Sequence, residues 1–366
     1  MRIAFIKKRY CFYGGAERYL ESIINALMSK FEIHILSNNW YKSKNFTVHH
    51  IHTNKMFSDL SFGLNVYKFL KTHHFDVSIS FDRTFGQDIY RASDGCRRRW
   101  LEQRRYISNL IRRLDYKFNP HNLSILFLEK KAVKESKLII TPSNMVKKDF
   151  LEFYGNEISK KCIVCYNGVD LNKFHKISFK QKLNLRQSLG IKDKKILLFV
   201  GSGSLERKGL FFAINVLKYL PKEFLLLVVS KVKKSFVNLA KELGLEKRVL
   251  FLGLQKDVER FFQVSDVFIL PSLYDTFCNA CLEAMACGLP IIITDTTGIS
   301  EIIEDGKEGF ILKHPINYEE FHFFIEESFK NWGEMSQYAY KKAIDFSLKK
   351  VTDNFLKIIE SVVNFP

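Results

Sequence analysis

No run of about 18 apolar residues occurs in the chain, so nothing in the sequence reads as a membrane-crossing helix. The opening Met1-Arg2-Ile3-Ala4-Phe5-Ile6-Lys7-Lys8 becomes charged too soon for the apolar core of a signal peptide, which predicts a cytoplasmic protein. Cysteine is sparse and odd in number, seven in all, and without a secretory signal that argues for reduced thiols and against a disulfide framework. Cys162 and Cys165 lie in Lys161-Cys-Ile-Val-Cys-Tyr166, where a strand would point positions i and i+3 to opposite faces, so one metal could not take both. Cys278 and Cys281 could share a helical face, but no histidine or further cysteine pair stands at zinc spacing. Both pairs read as buried apolar thiols, and no metal is expected.

What is present is a globular composition. With 46% hydrophobic and 26% charged residues, disordered and fibrous classes are excluded. At 366 residues the chain exceeds the size at which one core keeps growing, so two domains are predicted. The net charge of +18 calls for a polyanionic partner, whether nucleic acid, anionic lipid or a phosphorylated substrate, and charge alone does not choose among them.

Ile3 to Ile6 reads as a short buried strand, followed by a glycine turn at Gly14-Gly15 and an amphipathic helix from Ala16 to Ser29. Strand-like apolar runs recur at Glu32 to Leu36, Val77 to Phe81 and Leu138 to Thr141. After a polar, lysine-rich stretch ending at Lys195 the alternation restarts: Ile196 to Val200, Phe224 to Val229, Val249 to Leu252, Val267 to Leu270 and Ile291 to Ile293. Such alternation predicts an α/β protein of two Rossmann-like, doubly wound domains facing a cleft. The first is expected to take residues 1–172 plus 348–366, with the amphipathic stretch Leu348 to Val363 returning to it, and the second residues 173–347.

The densest local signal is a strand at Asp266 to Leu270 leading through Pro271-Ser-Leu-Tyr274 into Asp275-Thr276-Phe277-Cys278-Asn279-Ala-Cys-Leu-Glu283. Two acids with seven residues between them would bracket a helix N-terminus, and eight helical residues rise about 12 Å, comparable to the distance from sugar to ribose in a nucleoside diphosphate sugar. The amides of such a terminus suit a diphosphate. A second element, Gly201-Ser-Gly-Ser-Leu-Glu-Arg207-Lys208-Gly209, closes the strand before it. Glycines let backbone approach phosphates, and adjacent cations offset charge on a departing diphosphate.

With these residues the chain resembles the retaining GT-B enzymes of glycosyltransferase family 4, whose E-x7-E motif is matched here with Asp275 in the first position. The resemblance implies that Asp275 contacts hydroxyls of the donor sugar, that Glu283 binds the ribose, and that Arg207 and Lys208 meet the diphosphate. It makes Gly201, Thr276, Phe277, Cys278 and Asn279 part of the donor site, with Gly14 and Gly15 lining the cleft opposite. Those two glycines read equally well as a plain strand-to-helix turn. The N-terminal half is similar to the family's lipopolysaccharide core glucosyltransferases. There the segment Tyr90-Arg-Ala-Ser-Asp94-Gly-Cys96 places its aspartate in the cleft, which implies that Asp94 contacts the acceptor, as the base for its hydroxyl. An aspartate after serine is also a common helix cap.

Arg97, Arg98, Arg99, Arg104, Arg105, Arg112 and Arg113 cluster with Trp100, Tyr106, Tyr116 and Phe118. Cations beside interfacial aromatics suit an anionic membrane, so peripheral attachment to the cytoplasmic face of the inner membrane is expected, next to a lipid-linked saccharide acceptor. No D-x-D occurs, which leaves the metal site of the other large glycosyltransferase class without a candidate. The resemblance therefore implies retaining, metal-independent transfer of a hexose, glucose in the first instance, from a UDP-sugar to the lipopolysaccharide inner core, with no other cofactor. Transfer of galactose, an N-acetylhexosamine or mannose in capsule, O-antigen or glycan-lipid synthesis is the nearer alternative. A nucleic-acid-binding protein is the more distant one; it lacks any recognised module and would leave the phosphate loop and acid pair unused, so no nucleic-acid partner is expected.

Overall fold

The computed structural model describes residues 1–11, 15–104, 119–191 and 193–363. Two compact units divide the chain, the first of residues 1–166 and 351–366, the second of residues 167–350.

The first unit holds a seven-stranded sheet of β1 (Arg2–Ile6), β2 (Glu32–Ser37), β3 (Thr47–His50), β4 (Val77–Ser80), β5 (Ile89–Arg91), β6 (Leu138–Thr141) and β7 (Cys162–Val164). The order is β3-β2-β1-β4-β5-β6-β7 and every pairing is parallel. Parallel sheets are covered on both faces, which is why Ile3-Ala-Phe-Ile6 is apolar throughout. Its alternate residues serve two cores. Ile3 and Phe5 join Leu20, Ile24, Phe355 and Ile359, whereas Ala4 and Ile6 join Phe62 and Val66. Phe355 and Ile359 belong to the helix Leu348–Val363, whose Val351, Phe355 and Ile359, spaced by four, are buried in the first unit's core. Cys162, the first residue of β7, and Cys165, just past its end, fall in different core clusters.

The second unit repeats the plan with β8 (Lys195–Val200), β9 (Phe224–Val229), β10 (Val249–Phe251), β11 (Val267–Leu270), β12 (Ile291–Thr294) and β13 (Gly309–Leu312), in the order β10-β9-β8-β11-β12-β13, again all parallel. Strands β9, β11 and β12 are buried at every residue. In both sheets the order reverses beside the first strand of the unit, between β1 and β4 and between β8 and β11. Ligands of such sheets bind outside the carboxyl ends of the strands at that switch. Among the described residues no helix is long and apolar enough to cross a membrane.

Candidate functional site

The loop after β8 and the loop after β11 meet at the second unit's switch point. Lys208 Nζ donates to Asp275 Oδ2 at 2.6 Å, and Arg207 Nη1 lies 3.8 Å from the same oxygen while donating to the Tyr274 carbonyl at 2.8 Å. Lys208 and Asp275 are 8% and 5% exposed, so each is buried together with its counter-charge. Burial by itself would raise the Asp275 carboxyl, but Lys208 and then Arg207 outweigh it and hold the group below its ordinary value. Burial likewise opposes the Lys208 ammonium, and Asp275 reverses that and raises it. Gly209 makes the approach possible. Its φ is +76°, and a Cβ there would stand 1.8 Å from the Pro271 carbonyl oxygen. Gly201 follows β8 directly, and a Cβ on it would press on the Lys208 side chain at 2.7 Å.

Beyond Asp275 the geometry differs from the sequence expectation. The helix spans Asn279–Ala286, so only half of the interval between the acids is helical, and a rise of about 12 Å does not apply. Cys278 is the reason. It sits at φ 68°, and among the described residues no other non-glycine has a positive φ. That left-handed turn lets Asp275 lie flat against the sheet, its amide donating to Thr296 O at 3.1 Å and its carbonyl accepting from Gly298 N–H at 2.8 Å. Phe277 is fully buried and Thr276 half-buried. Asn279, the first helical residue, accepts from Asn167 Nδ2 at 2.7 Å, a contact 112 residues away in sequence that no local pattern announces. Glu283, one turn on, is 7% exposed. Two cations, a helix N-terminus with no side-chain cap, and two buried carboxylates therefore occupy one end of the second sheet, a constellation suited to a diphosphate and its attached hydroxyls.

The first unit's switch point carries its own charged cluster. Lys7, just past β1, is buried and places Nζ 2.8 Å from Asp82 Oδ1 and 3.6 Å from Glu17 Oε1. Burial would lower the Lys7 ammonium; Asp82, Asp94 and Glu17 together raise it. Asp94 follows β5 and faces Arg83 Nη1 at 3.4 Å, with 54% of its side chain exposed. The N-cap position of the helix Arg97–Gln103 is held by Cys96 and not by Asp94. Arg83 is itself fixed by Glu129, a wholly buried carboxylate that accepts from Arg83 Nε at 2.7 Å, from the Tyr154 hydroxyl at 2.7 Å and from the Arg97 amide at 2.9 Å. Glu129 lies on the helix Pro120–Glu135 in a run of alternating charge, where sequence alone gives no sign that one acid is interior. Gly15 opens the helix Gly15–Leu27; Gly14 lies outside the described residues.

The basic cluster is not a uniform solvated face. Arg97 donates to Asn122 Oδ1, and burial, followed by Arg83 and Arg104, brings its guanidinium down to about 10. Arg99 is bound by Asp149 at 2.7 Å, by Glu102 at 2.9 Å and by Glu152. Those two hold the helix Arg97–Gln103 to the rest of the unit. Arg98 is exposed over the Tyr154 ring, and Arg104 is half-buried over Trp100. Arg105, Arg112, Arg113, Tyr106, Tyr116 and Phe118 lie outside the described residues. Exposed apolar side chains that sequence reading passed over lie on neighbouring elements: Leu123 and Phe127 on the helix Pro120–Glu135, which contacts the helix Arg97–Gln103, and Met56 and Phe57 beside the helix Ser58–Thr72 that packs on it.

Residues 13–173 match the profile described as Glycosyltransferase Family 4, and residues 181–346 match Glycosyl transferases group 1. The chain is a GT-B glycosyltransferase of group 1 and family 4. Among its relatives, the lipopolysaccharide glucosyltransferase WaaG of Escherichia coli K12 is 25% identical over 332 residues, 87% of each chain. The crystal structure of WaaG superposes with a TM-score of 0.84 at 21% identity, covering 98% of this chain and 99% of WaaG. The uncharacterized glycosyltransferase MJ1607 of Methanocaldococcus jannaschii is 28% identical over 66% of this chain, a match that spans 63% of MJ1607. Anabaena HepE, solved in complex with UDP and glucose, shares the fold at a TM-score of 0.78 and 20% identity, over 99% of this chain and all of HepE.

Proposed function

We propose that this glycosyltransferase moves a hexose, glucose in the first instance, from a UDP-sugar to a lipid-linked saccharide of the lipopolysaccharide inner core, with retention and without a metal. The observation that carries the reading is the buried Lys208–Asp275 pair at the second unit's switch point, with Arg207 beside it and the helix Asn279–Ala286 following. In this reading the diphosphate meets Arg207, Lys208 and the helix amides, which supply counter-charge that a metal would otherwise bring. Asp275 contacts donor-sugar hydroxyls and Glu283 the ribose. The bond between the sugar's anomeric carbon and the diphosphate oxygen breaks as the acceptor oxygen bonds to that carbon on the same face, and the departing oxygen takes the acceptor's proton. Asp94 contacts the acceptor hydroxyl from the first unit.

WaaG's full-length similarity and name favour glucose and lipopolysaccharide, and HepE's bound UDP and glucose favour this donor. The exposed Met56, Phe57, Leu123 and Phe127, together with the exposed Arg98 of the same unit, favour peripheral binding to an anionic membrane, where such an acceptor resides. Purified protein given radiolabelled UDP-glucose, UDP-galactose, UDP-N-acetylglucosamine and GDP-mannose with a core-truncated lipopolysaccharide is expected to transfer glucose with the anomeric configuration kept. Transfer of another sugar would overturn the donor assignment, and inversion the mechanism.

A further inference from the structure

We infer that the first unit holds an anionic-monosaccharide subsite at the carboxyl ends of β2 and β3, separate from the charged cluster around Lys7 and Asp94. A cavity of about 370 Å³ opens there, lined by Asn38, Asn39, Trp40, Lys42, Ser43 and His50 above an apolar base that includes Phe46. Cavities that hold small molecules begin at about 300 Å³, so the space suits one sugar and not a long glycan.

Three features make it a built site. The segment Asn38–Asn39 is pinned by backbone bonds to the loop after β1: the Asn38 amide donates to Lys8 O at 2.9 Å and the Tyr10 amide to Asn39 O at 2.8 Å. The base is rigid. Trp40, 8% exposed, packs against Tyr10 at 4.9 Å between ring centroids, and Tyr41 packs against Phe46 at 5.6 Å. Glu21 then accepts from both the Tyr10 and Tyr41 hydroxyls, at 2.9 and 2.7 Å, locking the two rings in place. Against this fixed base, the exposed side chains of Asn39, Lys42 and His50 make no hydrogen bond or ion pair among the described residues. Polar groups left open over a preorganised apolar base are what specificity for a ligand requires, because the ordering cost is already met.

The lining chooses the ligand. Trp40, Phe46 and Val48 offer an apolar surface to a sugar's C–H face, while Asn39 and Ser43 can bond its hydroxyls. No acidic residue lines the cavity, whereas Lys42 and His50 do, so the matching sugar carries an anionic group, a phosphate or a carboxylate. Its source is the acceptor glycan, and in that respect alone the inference rests on the acceptor reading above.

The test is calorimetric titration of the full chain with glucose 6-phosphate, glucuronate, glucose and inorganic phosphate, with UDP titrated in parallel. At least one anionic sugar is expected to bind ten times or more tighter than glucose and than inorganic phosphate. Lys42→Ala with His50→Ala should raise its dissociation constant at least tenfold while leaving UDP affinity and the melting temperature unchanged, since both side chains are exposed. Whichever anionic sugar binds identifies the group recognised. If neither binds, if inorganic phosphate binds as well, or if the double variant binds as tightly, the subsite is refuted. Failure of UDP to bind the wild type would instead count against the donor reading.

Discussion

Lys208 Nζ and Asp275 Oδ2 stand 2.6 Å apart, 67 residues distant in sequence and both buried, so the cation of one loop and the acid of the next orient each other. Removing one partner of such a pair leaves a buried charge and costs about 3 to 5 kcal/mol, whereas replacing both with apolar groups costs less. Lys208→Met and Asp275→Leu should each lower stability by about 3 kcal/mol, and the double variant by less than either single change. Urea unfolding reads this directly. A double variant whose loss equals the sum of the singles would show that the pair is not coupled.

The pair also fixes a pH dependence. Asp275 is held below its ordinary 3.8, so its contribution is complete above that pH and is lost as pH falls through the folded value. Lys208 is held above its ordinary 10.5, so its contribution is complete below that pH and is lost only on further rise. Stability from this pair should be level between those limits, and the drop below pH 3.8 should be shallower in Asp275→Asn than in the wild type. An unchanged acid limb would assign the drop to other carboxylates.

Arg207 is the better probe of leaving-group stabilisation, because its side chain is a quarter exposed and its loss leaves Lys208 on Asp275. A cation that meets developing charge lowers the barrier more than it tightens the ground state. Arg207→Ala is expected to bind UDP measurably and to transfer sugar at least tenfold more slowly in single turnover with donor saturating. Wild-type single-turnover rates would remove Arg207 from the clamp. If Glu283 binds the ribose as proposed, Glu283→Gln should weaken UDP binding by about 1.5 to 3 kcal/mol, read by calorimetry.

Asp94→Asn should keep donor affinity and slow transfer if the proposed acceptor role is correct, since its carboxylate stands in the first unit, apart from Arg207, Lys208 and Asp275 of the second. Full transfer activity in that variant would end the assignment. Arg83→Gln is the companion: it removes the guanidinium that faces Asp94 at 3.4 Å but also strips buried Glu129 of its ion pair, so with the folded fraction checked by its melting curve, a slower rate accompanied by a shifted pH profile would mark Arg83 as a positioning residue.

For membrane attachment, the variants follow from what each arginine touches. Arg97→Gln and Arg99→Gln should destabilise the unit, because Asn122, Asp149 and Glu152 lose their partners. Leu123→Gln with Phe127→Gln, and Arg98→Gln with Arg104→Gln, should spare the fold and release protein from anionic vesicles, each charge contributing about 1 kcal/mol. Co-sedimentation unaffected by both pairs would leave the patch as ordinary surface.

Strands such as β9 and β12 were legible because burial on both faces demands unbroken apolar runs. Strand β5 was not. It is three residues long and ends in Arg91, which is fully buried because its guanidinium donates to the Cys165 carbonyl at 2.8 Å and lies over the Tyr19 ring. A charged residue made interior by a partner 74 positions away looks like a loop in sequence. Strand β3, at the sheet edge and exposed at both ends, and β13, which begins at Gly309, carry too little apolar pattern to announce themselves. Arg207, Lys208 and Asp275 could be singled out because each motif is contiguous, and the fold brings them together, whereas Glu129 and Asn167 make contacts that only the fold creates. The helix start was misplaced because a left-handed cysteine leaves no compositional mark where glycine would.

The return of the helix Leu348–Val363 has a consequence for biogenesis. Val351, Phe355 and Ile359 complete the core that Ile3 and Phe5 begin, so the first unit cannot close its apolar face until residues 167–350 have been synthesised. At about 5 to 20 residues per second, that is a delay of roughly 10 to 40 seconds, during which Leu20, Ile24 and their neighbours stay open on the nascent chain. The second unit ends at Lys350 and does not wait for that helix, so it is free to fold before the first is complete.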